Sequence, residues 1–272
     1  MASFGLILWL LAAQAEPLGR LAHPPIKECS GIVKSRRYAD IFWVHNDSGN
    51  PPALYAVRRD GTLVREYVIG APNVDWEDIA TDDEGHLYIG DIGNNKGRLP
   101  LRAIYRVAEP DPSKPAEKPL KVDLATYYRF DKNGRFDAEG LFIRGKTAYI
   151  VSKFFDGREA EVFALPLDPP APLLSPATPR QVATLHGFVD PATGADLAAD
   201  GSRLAVCSLK VARVYRRDGE TWKPIGGAKY KADGIEAIAW DGDDLILAGE
   251  GREMIRVDKR TWEAGVEGPP RR

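Results

Sequence analysis

A unit of short strands returns five times along this 272-residue chain, and this repeat limits the available folds more than any other feature. Each unit opens with a short segment that contains an aliphatic pair, and two further strands follow it after Gly-rich turns. The opening segments begin at Ser30, Glu77, Glu139, Ala195 and Glu236. Four-stranded units repeated at about 40–50 residues are typical of propeller blades. We therefore predict an all-β fold, a single β-propeller of four-stranded blades.

The spacing of the units gives the blade count. The intervals between the opening segments are 47, 62, 56 and 41 residues, and the two long intervals contain Pro-rich stretches at residues 109–119 and 166–179. Proline cannot donate a hydrogen bond to a ladder, so we expect these stretches to be surface excursions. The last unit lacks a fourth strand, which a segment near residues 18–26 could supply to close the ring. We predict five blades; six would require an irregular blade within an insertion.

The first residues have the features of an export signal. Residues 4–13 form an apolar run, and Ala13-Gln14-Ala15 offers the small residues that signal peptidase needs before Glu16. The alternative is a membrane anchor, but about ten apolar residues fall short of the roughly 20 that a spanning helix requires. We therefore predict a signal peptide at residues 1–15, a propeller at residues 16–272, no membrane span, and a secreted or periplasmic location.

Charge and motifs narrow the range of partners. The chain has 37 basic and 39 acidic residues and a formal net charge of −2, which argues against a nucleic-acid binder. It contains no Gly-x-Ser-x-Gly elbow, P-loop or GxGxxG motif, so the standard hydrolase, nucleoside-triphosphate and dinucleotide sites have no motif to support them. We expect a monomer whose partner is a small-molecule substrate or a protein or glycan bound at its surface.

The two cysteines admit two interpretations. Cys29 and Cys207 are the only cysteines, and an exported protein could join them in a disulfide. Cys207 lies in the strand-like run Leu204-Ala205-Val206-Cys207, where a small buried thiol is common. We favour two free thiols.

Repeated carboxylates point to a cation site on the propeller axis. The first strand of each blade lines the central channel, so Glu77, Glu139 and Glu236 should converge on one mouth of that channel, with Asp196 one position after the corresponding Ala195. Carboxylates this close need cations, protons or a bound metal. Clusters made only of oxygen ligands suit calcium, and the absence of His and Cys argues against zinc. We predict a calcium site with Glu77, Glu139, Glu236 and Asp196 as ligands.

The ends of the second strands add polar residues beside the channel. His45, Asp47 and Asp91 lie at such ends and are the candidates for catalytic residues, with His45 as a possible general base. Asp and Asn are also the residues that turns prefer, so each could have a purely structural role. Lys153 could pair with the channel carboxylates or bind an anionic substrate group, and we favour the pairing.

Several runs resemble a known group of proteins. Trp43-Val44-His45-Asn46-Asp47-Ser48-Gly49, Asp75-Trp76-Glu77-Asp78-Ile79-Ala80, Gly90-Asp91-Ile92-Gly93-Asn94-Asn95 and Asp137-Ala138-Glu139-Gly140-Leu141 resemble bacterial exported propeller proteins of largely unknown function. The last run is also similar to the esterase-like phytase family, and the layout resembles the calcium-binding gluconolactonase and paraoxonase group. The resemblance implies a propeller with acidic residues at its axis and places Glu77, Glu139 and Glu236 as ligands. The chain lacks the Asn-rich axial set typical of the lactonase group.

Two function hypotheses follow from the sequence. In the first, the exported propeller binds a divalent cation at its axis and hydrolyses a phosphate or carboxylic ester there. In the second, the propeller is a non-catalytic scaffold or binding module for a protein or glycan, and the axial cluster only holds the blades together. An exposed aromatic or apolar patch on one face would favour the second hypothesis.

Overall fold

The chain folds into a ring of five antiparallel sheets, as shown by a computed structural model that describes residues 15–130 and 136–265. Each sheet has four strands, so the fold is a five-bladed β-propeller, and the predicted fold class and blade count are confirmed. Residues 1–14 of the predicted signal peptide lie outside the described residues. No helix of the described part is long and apolar enough to cross a membrane.

The strands follow one another blade by blade from the axis outwards. Blade 1 contains β2 (Cys29–Lys34), β3 (Phe42–Asn46), β4 (Ala53–Val57) and β5 (Leu63–Val68). Blade 2 contains β6 (Trp76–Thr81), β7 (His86–Asp91), β8 (Arg102–Ala108) and β9 (Val122–Tyr128). Blade 3 contains β10 (Ala138–Arg144), β11 (Thr147–Ser152), β12 (Glu161–Pro166) and β13 (Arg180–Thr184). Blade 4 contains β14 (Gly194–Leu197), β15 (Arg203–Cys207), β16 (Val211–Asp218) and β17 (Thr221–Lys229).

Blade 5 closes the ring with a strand from the other end of the chain. It contains β18 (Ile235–Asp241), β19 (Asp244–Gly249), β20 (Glu253–Val257) and, at its outer edge, β1 (Glu16–Arg20). β1 is antiparallel to β20. The predicted closure by an N-terminal strand is therefore confirmed, although the strand ends at Arg20. Leu21 and Ile26 are instead fully buried in the apolar cluster between blades 5 and 1.

The hydrophobic core is divided among the blade interfaces. Five clusters of buried side chains each join two neighbouring blades: blades 1 and 2, 2 and 3, 3 and 4, 4 and 5, and 5 and 1. A blade is therefore apolar on both of its faces, because each face packs against a neighbour. This explains why the middle strands, such as β4, are buried at every position.

The two Pro-rich stretches pack on the outer wall of the ring. The Tyr67 hydroxyl of β5 donates to the carbonyls of Asp111 and Lys114, each at 2.7 Å. In the same way, the Tyr127 amide of β9 donates to the Ala171 carbonyl at 2.9 Å. The excursions are thus at the surface, as predicted, and each covers the outer strand of the preceding blade.

A single short helix and two thiols complete the described structure. Helix α1 (Lys259–Ala264) is capped by the Asp258 side chain, which accepts a hydrogen bond from the Thr261 amide at 2.7 Å. Its Trp262 side chain is buried against Trp240, with ring centroids 6.0 Å apart. Cys29 and Cys207 are buried and free, which confirms the favoured interpretation of the cysteines.

One buried carboxylate joins three inner strands at the axis. Asp78 Oδ2, in β6, accepts hydrogen bonds from the Leu141 amide of β10 at 2.8 Å and from the Ala195 amide of β14 at 3.0 Å. Its Oδ1 accepts from the Ile79 amide at 2.9 Å. The strands approach so closely here that a Cβ on Gly140 would lie 2.9 Å from the Ala195 Cβ. Asp78 therefore lies where blades 2, 3 and 4 meet at the channel axis.

We expect Asp78→Ala to destabilise the propeller strongly. Buried N–H groups that lose their acceptor cost about 1–3 kcal/mol each, so the free energy of unfolding should fall by about 2–5 kcal/mol. Asp196→Ala removes one such acceptor, that of the Trp240 amide at 2.8 Å, and should have a smaller effect.

Denaturant unfolding of these variants, with Asp218→Ala as a control at an exposed turn, tests the ranking. If Asp78→Ala is no more destabilising than the control, Asp78 does not hold the blades together.

Candidate metal centre

A β-bulge places the same residue of four inner strands at one mouth of the channel. The ladders between first and second strands shift register at Ser30, Glu77, Glu139 and Glu236, each of which lies opposite no partner residue. In blade 4 the ladder continues through Ala195 without a shift. Bulges re-aim side chains and are frequent beside functional sites. We call this end of the channel the carboxylate mouth, lined by Asp47, Asp75, Glu77, Asp137, Glu139 and Glu236.

Three carboxylates from two blades come together at this mouth. Asp47 follows β3 in blade 1, whereas Asp75 and Glu77 lie at the start of β6 in blade 2. One oxygen from each of the three lies within 4.8 Å of the others, which is close enough for one ion to bind all of them. Glu77 is buried, and Asp47 and Asp75 are partly exposed. The group is therefore open to solvent on the side of the two aspartates.

One oxygen of this cluster lacks a hydrogen-bond donor. Glu77 Oε2 accepts from the Ser30 hydroxyl at 3.2 Å, but buried Glu77 Oε1 has no hydrogen-bond partner among the described residues. The two carboxylates approach the backbone of Gly93 so closely that a Cβ there would collide with Glu77 Oε1 and lie 2.6 Å from Asp75 Oδ2. A buried carboxylate oxygen without a donor is costly unless a proton or a cation satisfies it.

Blade 3 contributes a carboxylate that already has a cation. The Lys153 ammonium forms an ion pair with Glu139, and both side chains are almost completely buried. Asn95 contacts both partners, at 3.3 Å from Glu139 Oε1 and 3.4 Å from the Lys153 Nζ. The predicted pairing of Lys153 with a channel carboxylate is confirmed.

A further carboxylate of blade 3 supports a neighbouring loop. Asp137 Oδ1 accepts from the Asn94 amide at 2.7 Å and from the Ala138 amide at 3.0 Å. Its other oxygen, Oδ2, is buried and has no hydrogen-bond partner among the described residues. Asp137 therefore holds the loop after β7 against blade 3 while adding negative charge to the mouth.

The other two predicted ligands lie apart from the three-carboxylate cluster. Glu236 is at the mouth, on blade 5, and its charged neighbours are Glu250, Lys153, Asp47 and Glu28. Asp196 is buried, and its Oδ2 accepts from the Trp240 amide of the next blade. It follows Ala195 directly, and neighbouring strand residues face opposite sides of the sheet, so its carboxylate joins blades 4 and 5.

The three predicted catalytic residues are in different environments. Asp47 belongs to the carboxylate cluster. Asp91 Oδ1 accepts from the Asp75 amide at 2.7 Å and so supports the loop that carries Asp75. His45 is fully buried, 5.6 Å from the Trp76 ring, with Nδ1 3.0 Å from the Asn46 carbonyl oxygen. Burial lowers the pKa of His45 to about 4, so the ring is neutral near pH 7.

Burial and mutual repulsion raise the pKa values of the mouth carboxylates. Burial raises the pKa of Asp75 to about 6, with a further contribution from the Asp47 charge. Burial also raises the pKa of Glu236 to about 7, and it raises the pKa of Glu139 against the opposing effect of the Lys153 ammonium. The pKa of Glu77 lies well above its usual value because of burial and then the charges of Glu139, Asp47 and Asp75. In the absence of a cation, protons therefore occupy part of this site near neutral pH.

A second acidic group lies at the opposite mouth of the channel. Oxygen and nitrogen atoms of Asp82, Glu84 and His86 also lie within 4.8 Å of one another. Here, however, Asp82 Oδ2 already interacts with His86 Nδ1 and accepts from the Tyr88 hydroxyl, both at 2.9 Å. The three-carboxylate cluster differs from this group because its buried Glu77 Oε1 has no donor among the described residues.

Comparisons with known proteins show likeness in fold only. No family model and no curated protein match the chain. Similar solved structures include a nidogen/laminin complex, with 12% identity, 90% of this chain and 88% of that chain covered, and a TM-score of 0.49. The Dos1 propeller has 12% identity, 87% and 56% coverage, and a TM-score of 0.42. A catalytically inactive virginiamycin B lyase from Staphylococcus aureus with quinupristin has 12% identity, 84% and 65% coverage, and a TM-score of 0.43. These likenesses are too distant to carry a functional argument.

The sequence contained a signal for the members that the predicted ligand set omitted. Asp75 comes two residues before Glu77, and Gly93 lies in the Gly90–Asn95 run beside the second strand of the same blade. The three-carboxylate cluster combines Asp47 of blade 1 with Asp75 and Glu77 of blade 2. The sequence repeat does not specify the angle between the blades that brings these residues together.

The raised pKa values predict opposite pH dependences with and without a cation. The folded protein holds protons on Asp75 and Glu236 more tightly than the unfolded chain, so their contribution to stability is complete near pH 4 and is lost as pH rises through about 6 to 7. With EDTA, the Tm should therefore fall between pH 5 and pH 8, because these groups ionise at about pH 6 to 7.

With calcium, the ion competes with these protons, so the rise in Tm that it produces should grow over the same range. Thermal unfolding at several pH values, with EDTA and with calcium, measures both trends. A calcium-induced rise in Tm that shrinks as the pH increases would contradict this account of the mouth.

Proposed function

We propose that this propeller binds a divalent cation, calcium in particular, at the carboxylate mouth through Asp47, Asp75 and Glu77. The observation that carries the proposal is Glu77 Oε1, a buried carboxylate oxygen that has no donor among the described residues and belongs to a group of three carboxylates with oxygens within 4.8 Å of one another. All the ligands offered are oxygens, which is the ligand type that calcium and magnesium prefer. Calcium takes six to eight oxygens in flexible geometry, so three protein carboxylates leave positions for water or a ligand.

The proposed ligand set differs in part from the one that the sequence suggested. Glu77 remains, and Asp47 and Asp75 join it because their oxygens lie within 4.8 Å of one another. Glu139 is compensated by Lys153. We therefore leave Glu139 out of the ligand set and assign Glu236 a supporting role, in which its ionised carboxylate adds negative charge to the mouth.

Export would place this site in a suitable environment. Sites of extracellular modules bind calcium with dissociation constants of about 10⁻⁴–10⁻³ M, so a partly exposed site of three carboxylates would suffice there. We extend the proposal to a secreted or periplasmic location on the basis of the apolar run at residues 4–13 and the small residues before Glu16.

We expect Glu77→Gln to weaken calcium binding by about tenfold or more, because it removes a charged ligand oxygen, and tenfold corresponds to about 1.4 kcal/mol. At a concentration of about 100 times its dissociation constant, calcium should stabilise the wild-type chain by roughly 2.7 kcal/mol. Isothermal titration of the metal-free full chain with calcium measures the affinity directly. Thermal unfolding with EDTA shows that the variant is still folded.

Glu84→Gln is the matched control, because it makes the same change in the acidic group at the opposite mouth. It should leave calcium affinity unchanged. The proposal is wrong if Glu77→Gln binds calcium as tightly as the wild type, or if Glu84→Gln is the variant that loses the ion.

We further propose that the site hydrolyses a phosphate or carboxylic ester. A bound cation would polarise a phosphoryl or carbonyl oxygen. Asp47 is the candidate base, since it is partly exposed at the open side of the cluster. Release of nitrophenol from nitrophenyl phosphate and nitrophenyl acetate, with calcium and with EDTA, tests this extension. Turnover should require calcium and be lost in Asp47→Asn even at a calcium concentration that saturates this variant. Calcium binding without turnover of any ester would refute hydrolysis and leave the cation site standing.

A further inference from the structure

The exposed apolar side chains of the propeller are concentrated on one face. Among the described residues, seven large hydrophobic side chains are exposed. Four of them lie in connections that join strands at the carboxylate mouth, and we call this set the apolar rim: Val74, Phe155, Val189 and Leu209. Val68, at the end of β5, lies at the same end of blade 1. The remaining two, Leu173 and Leu174, lie in the excursion that packs on the outer wall against β9.

The topology fixes the position of the rim. In every blade the first strand runs away from the carboxylate mouth, and the second strand returns towards it. The loop before a first strand and the loop after a second strand must therefore lie at that mouth. Val74 and Val189 precede β6 and β14, and Phe155 and Leu209 follow β11 and β15. Phe155 is 72% exposed, and the only ring contact described for it is with the Lys153 ammonium, 5.5 Å from the ring centroid.

The centre of the same face has an excess of negative charge. Glu236 and Glu250 of blade 5 make no ion pair or side-chain hydrogen bond with the described residues, and exposed Glu28 of blade 1, which accepts a hydrogen bond from Asn50, lies near them. The Lys153 ammonium is paired with Glu139 and also lowers the pKa of Glu236, so it offsets only part of this negative charge. One divalent cation bound by the three-carboxylate cluster would leave the negative charges of these glutamates without a counter-ion. Basic side chains such as Lys96 and Lys210 are exposed on the surrounding loops.

We propose that the carboxylate mouth and its apolar rim form a docking surface for a polypeptide segment that presents lysine or arginine among apolar side chains. The basic groups pair with Glu28, Glu236 and Glu250, and the apolar groups cover Phe155 and Leu209. Interfaces of this kind combine charge complementarity, which steers association, with a few apolar anchors that supply affinity. The proposal goes beyond cation binding and does not depend on it.

The experiment uses the full chain and three fluorescein-labelled synthetic peptides. The first contains Lys and Leu, the second has Glu in place of every Lys, and the third has Ser in place of every Leu. Fluorescence anisotropy is measured in EDTA and again in calcium, at about 0.15 M ionic strength so that long-range attraction is screened. The Lys and Leu peptide should bind at least about tenfold more tightly than the other two, which corresponds to about 1.4 kcal/mol.

Variants locate the binding surface. Phe155→Ser with Leu209→Ser should weaken binding of the Lys and Leu peptide by about tenfold or more, because it removes the apolar anchors proposed to supply the affinity. Glu28→Gln with Glu250→Gln should weaken it and reduce its salt dependence, while calcium binding persists. Leu174→Ser is the control, since this side chain is 96% exposed but lies on the outer wall.

Three results would overturn the proposal. The first is equal binding of all three peptides. The second is a loss of binding in Leu174→Ser as large as that in the rim variant. The third is binding of the Glu peptide alone and only with calcium, which would instead indicate an acidic partner that bridges through the cation. Failure of calcium to bind in the titrations, by contrast, would refute the cation site and leave the peptide result unaffected.

Discussion

The arrangement of the ring depends on one buried carboxylate at its axis. Asp78 accepts amide hydrogen bonds from β10 and β14 as well as from its own strand, and so joins blades 2, 3 and 4 where a channel would otherwise continue. Burial raises the pKa of Asp78 well above its usual value, and the three amide donors oppose that effect. Because the inner strands are held together at this level, side chains one residue earlier are directed towards the mouth above it.

The bulges direct charged side chains into the mouth above Asp78. An inner strand in regular register would continue its ladder through the residue before Asp78, as blade 4 does at Ala195. The bulge at Glu77 instead leaves that residue unpaired in the ladder and directs its carboxylate into the mouth. Bringing several carboxylates together in a partly buried place is unfavourable without compensation. Lys153 compensates Glu139. A bound cation is the compensation that we propose for Glu77, Asp75 and Asp47.

The sequence predicts the fold well because each blade repeats the same strand order. The heads of the five inner strands align in the sequence, so the convergence of Glu77, Glu139 and Glu236 on one mouth could be anticipated. The partners of these residues could not be, because they come from other blades. Asp196 shows where prediction from the sequence fails. It lies one position after Ala195, the residue that aligns with Glu77, and neighbouring strand residues face opposite sides of the sheet. Its carboxylate therefore lies at the interface of blades 4 and 5, where it accepts from the Trp240 amide. His45 is a second example. Its position at the end of a strand is typical of a site residue, but its ring is fully buried.

A crystal structure of the full chain grown with calcium, with anomalous difference data collected at long wavelength, would show directly whether the carboxylate mouth binds the ion. We expect a calcium peak bonded to Glu77 Oε1 and to oxygens of Asp47 and Asp75, at about 2.3–2.6 Å from each. A saturated crystal with no peak in this cluster, or with its only peak at Asp82, Glu84 and His86, would show that these three carboxylates do not bind calcium.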